Sequence, residues 1–298
     1  MVDPAQEELA RLRLEIDRID NAVVDLLLQR IGIVRRIGGL KAGATSGAAA
    51  TSSAIALRPA REAAIIRRLA ARAAPVLPAA ALTRMWRELL AATTRLQTPF
   101  EVAVLADPAA PHVWALSRDH FGALTPLVPV ETAQHGFRLL AAGEVELLVL
   151  PAPQDDGFWW RRVALTLVDS AYRVVSRLPF CPAMSGDAEQ QEGALVLGAL
   201  PEEATGADLT MLALETDLDL SRGRLRDLVE AGGVELVSLV VLKDLQPETA
   251  LFLLEVEGGA DAALAGLQQA FGPLRDRVLR LDVLGSYPQP LPAPASAG

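Results

Sequence analysis

The sequence predicts a multidomain α and α/β protein: a three-helix N-terminal domain, then an α/β lobe, then a ferredoxin-like βαββαβ unit. Three observations carry this expectation. Apolar residues recur at three-four spacing as far as Gln97. After Pro99, short apolar runs alternate with helical stretches. From Leu209 the elements fall in the order strand, helix, strand, strand, helix, strand. At 298 residues the chain is long enough for two or three cores.

The first helix is the longest. Leu9, Leu12, Ile16, Ile19, Val23, Leu26, Ile33, Ile37 and Leu40 form a coiled-coil-like seam over roughly residues 5 to 41. At about 1.5 Å per residue it spans on the order of 50 Å, and it needs another long helix to bury its seam. Ala42 to Ala56, rich in Ala, Gly, Ser and Thr, reads as a mobile loop. Pro59 suits the first turn of a second helix, which carries Ile65, Ile66 and Leu69 on one face. The third helix follows Pro75 and Pro78, carries Leu82, Trp86, Leu89 and Leu90, and runs to about Gln97. Together the three helices are expected to form a complete core.

From Phe100 the period changes. Glu101–Ala106, Leu124–Pro129 and Glu146–Leu150 read as buried strands, separated by helical stretches at Val113–Phe121 and Thr132–Ala142. This βαβ alternation gives an α/β lobe to about residue 200, with a polar loop from Cys181 to Gly193. The last unit reads as strand Leu209–Glu215, helix Ser221–Ala231, strands Val234–Leu242 and Thr249–Glu257, helix Ala260–Phe271 and strand Val278–Leu284. The expected domains are 1–98, 99–205 and 206–288, with a disordered Pro/Ala-rich tail over 289–298.

Charge is unevenly spread. Residues 1–98 hold 15 Lys+Arg against 9 Asp+Glu, a net +6, whereas the remainder holds 13 against 28, a net −15. The acidic whole argues against nucleic acid as a partner. No apolar run is long enough to span a membrane. The acidic start, Met1 to Glu8, carries no apolar signal segment, so a cytoplasmic protein is expected. The one cysteine, Cys181, reads as a small apolar filler, and the three histidines as surface or packing residues. Neither a metal site nor a cofactor is expected.

The informative positions interrupt the apolar stripes. Arg30 occupies a seam position of the first helix, and Glu62 lies three and four residues before Ile65 and Ile66. On the third helix the stripe runs on to Thr93 and Gln97. An unpaired buried charge costs several kcal/mol even after relaxation, so these groups must meet one another, a ligand or water. A polar layer that only fixes register would look similar at any one position. The set as a whole, with Arg13, Lys41 and Arg61 nearby, points instead to a site for a small anion. Arg13 and Lys41 stand 28 residues apart, about 42 Å along one helix, so they cannot share a small ligand. If Arg13 serves such a site, it comes from a second, antiparallel copy of the helix, which implies a dimer with two sites.

The stretches LRLEIDRIDNAVVDLLLQR (12–30), GGLK (38–41), LRPARE (57–62) and RMWRELLAATTRLQ (84–97) resemble the helical chorismate mutase family. The particular resemblance is to the N-terminal domain of bacterial bifunctional chorismate mutase–prephenate dehydratases. It implies an all-helical, intertwined homodimer that rearranges chorismate to prephenate in aromatic amino acid biosynthesis. It also implies that Arg13 reaches in from the partner subunit while Arg30 and Arg61 bind the substrate carboxylates. Lys41 and Gln97 would hydrogen-bond the ether oxygen, and Glu62 and Thr93 would bind the hydroxyl side and the pocket wall. Arg58 stands where some relatives carry an acid. The reaction stays within one molecule, so it needs a compact conformer and donors aimed at a breaking C–O bond, not a nucleophile.

The later segments resemble the remaining domains of the same enzymes, with departures. EVAVLA (101–106) and VELLVLPAPQDDG (145–157) look like the dehydratase lobe. DPAAPH (107–112) replaces the Gly-rich turn expected there, and the nearest text to the Thr-Arg-Phe motif, DLTML (208–212), lacks the Arg. The unit ending in VLGSYP (283–288) is similar to the ACT domain that senses phenylalanine. SRGRL (221–225) and VSLVVLKD (237–244) stand in its ligand-loop positions. The expectation is therefore a mutase with a degenerate dehydratase domain and a possible amino-acid effector site. The alternatives are a working bifunctional mutase–dehydratase and a non-enzymatic effector-binding scaffold.

Overall fold

The computed structural model describes residues 3–44, 55–155, 159–182, 193–217, 220–242, 249–274 and 276–292, with the side chains of 41–44 and 273 excepted. The first helix, α1 (Pro4–Ala44), is 41 residues long. It overruns the expected end because Ala42 and Ala44 are strong helix formers. The loop expected from Ala42 therefore starts later, and its 45–54 portion lies outside the described residues.

The two sides of α1 differ sharply. The expected seam, Leu9 to Leu40, lies between 44% and 77% exposed. The line that turns toward the rest of the chain is Leu27, Arg30, Ile31, Val34 and Gly38, all half-buried. This line also has three-four spacing, but it is rotated by about one residue from the seam. One copy of the chain thus leaves the apolar seam open to solvent.

The helices α2 (Pro59–Ala73) and α3 (Ala79–Arg95) pack against each other. Proline opens α2 at its first turn, where a missing N–H costs nothing. Their common core, Ala63, Ile66 and Leu90, is not closed by the helices alone. Phe180 completes the cluster, and Leu291 packs against it. The expectation of a self-contained helical core is corrected here, because both closing side chains come from segments too distant for local periodicity to reveal.

The α/β lobe contains β1 (Val102–Leu105), α4 (His112–Phe121), β2 (Leu127–Val130), α5 (Ala133–Ala142), β3 (Leu147–Pro151), α6 (Trp159–Val168), β4 (Arg173–Leu178) and β5 (Ala194–Gly198). The strands lie in the order β2-β1-β3-β5-β4, parallel through β1, β2 and β3 and antiparallel at β5. The uniformly apolar run of β1 is buried on both faces. Val102 and Val104 enter one cluster with Phe121, and Ala103 and Leu105 enter another with Trp160.

The last unit contains β6 (Asp208–Thr216), α7 (Arg222–Ala231), β7 (Leu236–Leu242), β8 (Ala250–Glu257), α8 (Ala260–Phe271) and β9 (Val278–Pro288). Its sheet is wholly antiparallel in the order β7-β8-β6-β9, the ferredoxin-like plan read from the sequence. Strand alternation divides its side chains cleanly. Leu212, Leu214, Phe252 and Leu254 face α7 and α8, while Met211, Ala213, Leu251 and Leu253 join the cluster that holds α6. The two sheets thus share one core.

A buried polar network crosses the same junction. Glu255, fully buried on β8, accepts from Tyr287 Oη at 2.6 Å, from Ser238 Oγ at 3.1 Å and from the Arg177 guanidinium of β4. The expected tail is also partly docked. Gln289 N donates to Ala207 O at 3.0 Å and Leu291 N to Phe180 O at 2.8 Å, because Leu291 finds an apolar seat beside Phe180. Residues 293–298 lie outside the described residues.

At Gly285 in β9, φ is +155° and an added Cβ would stand 2.2 Å from Val174 O and 2.6 Å from Val174 N. The obstacle is backbone, which cannot swing away. Gly285→Ala is therefore expected to destabilise the fold by about 3 kcal/mol. Thermal denaturation followed by circular dichroism measures this, and an unchanged Tm would show that the two sheets can separate at no cost.

Candidate functional site

The candidate site forms where α1 crosses α2 and the C-terminal half of α3. Thr93 is buried, and its Oγ1 donates within its own helix to Leu89 O at 2.8 Å or Leu90 O at 3.1 Å. The same oxygen accepts from Arg30 Nη1 at 3.3 Å, tying α1 to α3. Two turns further along α1, Gly38 passes over Gln97, where an added Cβ would lie 3.4 Å from the Gln97 Cγ. The Gln97 amide in turn donates to Thr93 O at 3.5 Å.

Glu62 enters from α2. Its carboxylate receives Arg87 Nη1 of α3 at 2.8 Å, and the two side chains are only 9% and 5% exposed. Burial pushes the Glu62 carboxyl up, while the Arg87 and Arg30 cations hold it down. Arg30 is lowered by its own burial, supported by Glu62 and opposed by neighbouring Arg61. Arg61 is exposed at the rim. Because the folded carboxyl stays above its ordinary 4.5, this group withdraws stability as pH rises from that value through its folded pKa.

Of the residues expected from the sequence, the structure brings Arg30, Glu62, Thr93 and Gln97 together, with Arg61 beside them. Arg13 is exposed on α1, 17 residues before Arg30 and so about 26 Å away along the helix. Its own chain does not carry it to the site. Lys41 lies on α1 11 residues beyond Arg30, about 16 Å along the axis, and its side chain is outside the described residues.

Arg87 is the residue that sequence reading missed. The stripe expected on α3 was Leu82, Trp86, Leu89 or Leu90, then Thr93. The buried face keeps Leu82, Leu90 and Thr93 and is wider on one side, taking in Thr83, Arg87, Ala91 and Thr94 as well. The signal was available: Arg87 stands three residues before Leu90, as Glu62 stands before Ile65. Among the described residues no group of three His, Cys, Asp or Glu side chains is placed to hold a metal ion, and no helix is long and apolar enough to cross a membrane.

Residues 12–98 match the family model of chorismate mutase type II. Two curated relatives, bifunctional chorismate mutase/prephenate dehydratases of Pseudomonas aeruginosa and Stutzerimonas stutzeri, are each 27% identical, over 146 and 145 residues. Each match covers 49% of this chain, which spans 39% of the relative's length. Among solved structures, a quorum-quenching acylase is similar at 16% identity and a TM-score of 0.45, over 63% of this chain and 94% of that one. The prephenate dehydratase of Arthrobacter aurescens in complex with L-Phe is similar at 15% identity and a TM-score of 0.43, over 65% and 93%.

Removing one partner of the buried pair strands the other. Glu62→Ala is expected to cost about 3–5 kcal/mol, because Arg87 is left charged and unpaired. The double variant Glu62→Leu/Arg87→Met is expected to be much closer to wild type in stability while losing the site's chemistry. Urea denaturation of both distinguishes the cases, and equal losses would mean that packing, not the uncompensated charge, sets the cost.

Proposed function

We propose that this chain, whose residues 12–98 match the chorismate mutase type II family model, is an isomerase that converts chorismate to prephenate by an intramolecular rearrangement. The observation that carries the reading is the convergence of Arg30, Glu62, Thr93 and Gln97 from three helices on one place. In this reading Arg30 and Arg61 bind the two substrate carboxylates as charge-assisted forks. Bound that way, the substrate is held in the compact conformer that brings its reacting carbons together.

As the ether C–O bond breaks, negative charge grows on the oxygen. Gln97 and Lys41 supply the donors that meet it, while Glu62 accepts from the substrate hydroxyl and Thr93 forms the wall. The bond that breaks and the bond that forms belong to one molecule, so no proton need leave it.

The exposed seam of α1 supports a homodimer. A helix this long with an open apolar stripe is a poor solitary element in water, and a second antiparallel copy offers a matching stripe. The second copy would also bring Arg13 to the Arg30–Lys41 region. We further assign the α/β lobe no dehydratase chemistry. The nearest text to the dehydration motif, DLTML, is the buried start of β6, where Thr210 Oγ1 donates to Gly258 O at 2.7 Å. The βαββαβ unit is read as ACT-like, a candidate site for an amino-acid effector, and the protein as cytoplasmic.

Purified protein is expected to consume chorismate and accumulate prephenate without phenylpyruvate, the two products being followed separately. Arg30→Ala should abolish this while leaving the fold intact, and Lys41→Ala should lower kcat at least about a hundredfold, the scale for one donor to a developing anion. Phenylpyruvate from prephenate would establish the bifunctional alternative. Inert wild-type protein would favour the non-enzymatic scaffold.

A further inference from the structure

The buried pair of the candidate site is walled by a residue from another part of the chain. The Arg87 guanidinium carbon lies 5.1 Å from the centre of the Phe180 ring, and that ring follows β4 of the α/β lobe. Phe180 is itself held firmly. Its carbonyl accepts from Leu291 N at 2.8 Å, and the Arg67 guanidinium stands 5.8 Å from its ring centre. Arg67 in turn donates to Thr205 Oγ1 at 3.0 Å, Ala207 O at 2.8 Å and Gln289 O at 2.5 Å. The aromatic ring is thus clamped between α2 and the C-terminal segment, with the ion pair beneath it.

We propose that Arg87 is a positioning residue for Glu62, fixing its carboxylate toward the Arg30 side of the pocket, and that Phe180 of the α/β lobe is the wall that keeps this pair dry and aligned. The inference rests on the reading of the pocket as the mutase site. Its physical basis is the cost of a buried carboxylate. Without a partner at this depth it takes up a proton instead of remaining charged. Arg87 supplies the compensating charge through Glu62 Oε2, leaving Oε1 as the oxygen we assign to the substrate hydroxyl. The Arg87 Nε is buried with no hydrogen-bond acceptor among the described residues. The Phe180 ring, 5.1 Å from the guanidinium carbon, gives this cation an aromatic neighbour. The direction of the Glu62 shift, upward by burial and downward by Arg87 and then Arg30, agrees with this geometry.

The ionisable groups around the pair are few. Arg30 of α1 and Arg61 of α2 flank the pocket side, and Arg67 of α2 lies across Phe180. His120 of α4 faces Arg87, and burial together with that cation pushes its imidazole well below the ordinary range, so it stays neutral. Cys181 follows Phe180 beside Thr83, and burial pushes its thiol up, so it too stays neutral. The Lys41 side chain is outside the described residues. Glu62 is therefore the acid whose ionisation in this cluster reports on Arg87 and Phe180.

The test follows kcat/KM for chorismate against pH in the full chain, alongside a carbon-13 NMR titration of the Glu62 carboxyl. Glu62→Gln identifies the limb and the resonance that belong to this residue. In wild type, activity falls as pH drops through the Glu62 ionisation. Arg87→Gln should move that limb and the resonance to higher pH by about one unit or more, roughly tenfold in activity below the limb. Arg87→Lys should restore most of the wild-type position. Phe180→Ala should move both the opposite way, because water then reaches the carboxylate.

A purely structural role would lower activity at every pH and shift neither. Limbs and resonances that stay at the wild-type position in Arg87→Gln and Phe180→Ala overturn the proposal. If Arg87→Gln does not fold, Phe180→Ala and Arg87→Lys decide it by the same measurements. Wild-type protein that leaves chorismate untouched, with the Glu62 resonance still displaced in the Arg87 and Phe180 variants, would overturn the mutase reading and uphold the positioning role.

Discussion

An apolar stripe that runs the length of a 41-residue helix must be covered, and one copy of this chain covers the wrong side of it. The seam from Leu9 to Leu40 faces solvent, while a neighbouring line through Leu27, Arg30, Ile31, Val34 and Gly38 turns toward the rest of the chain. The division of labour is geometrically tidy. Residues one apart on a helix differ by about 100° in direction, so two adjacent three-four lines can serve two different partners. In the proposed dimer the inner line assembles Arg30, Thr93 and Gln97 within one copy. The outer line binds the second copy and delivers its Arg13.

Within one copy the site is held by charge placed where water is scarce. The Glu62–Arg87 pair is the sharpest case, since a buried pair gains little stability over apolar residues of the same shape. In the proposed site the pair has a use beyond stability, because the Arg87 cation opposes the upward push of burial on the Glu62 carboxyl. The junction of the two sheets uses the same device at Glu255, where Arg177, Tyr287 and Ser238 converge. There burial, with Glu255 next, pushes the Tyr287 hydroxyl well above its ordinary range, so it remains a donor. The α/β lobe and the βαββαβ unit thus form one packed body. That body reaches the helical site through Phe180 and Leu291.

Much of this was legible from local pattern. The helix through residue 41, the proline that opens α2 and the βαββαβ order all follow from periods of 3.6 and 2, and Arg30 and Glu62 announce themselves by interrupting apolar stripes. What was not legible is which of two adjacent faces meets which neighbour. The α1 stripe is legible as apolar, but the inner line at Leu27 and Val34 is not separable from it by spacing alone. On α3 the same ambiguity hid Arg87 behind the apparent stripe through Trp86. Phe180 and Leu291 could not be found at all, since their role depends on tertiary approach between segments far apart in the chain. Composition points to a disordered tail, but Leu291 beside Phe180, two backbone hydrogen bonds, Arg67 on Gln289 O and the Gln289 amide on Glu257 dock its first part.

In the proposed dimer each site is built from two copies. Arg13→Ala and Lys41→Ala would each disable both sites of a homodimer, so either variant alone should be inactive. In a mixed dimer one site collects both defects, and the other collects neither. Allowed to exchange subunits at equal concentration, the two inactive proteins should recover about a quarter of wild-type chorismate turnover, because half the dimers are mixed and each holds one intact site. No recovery, with exchange confirmed by mass spectrometry, would contradict the shared site and place the whole of it within one chain.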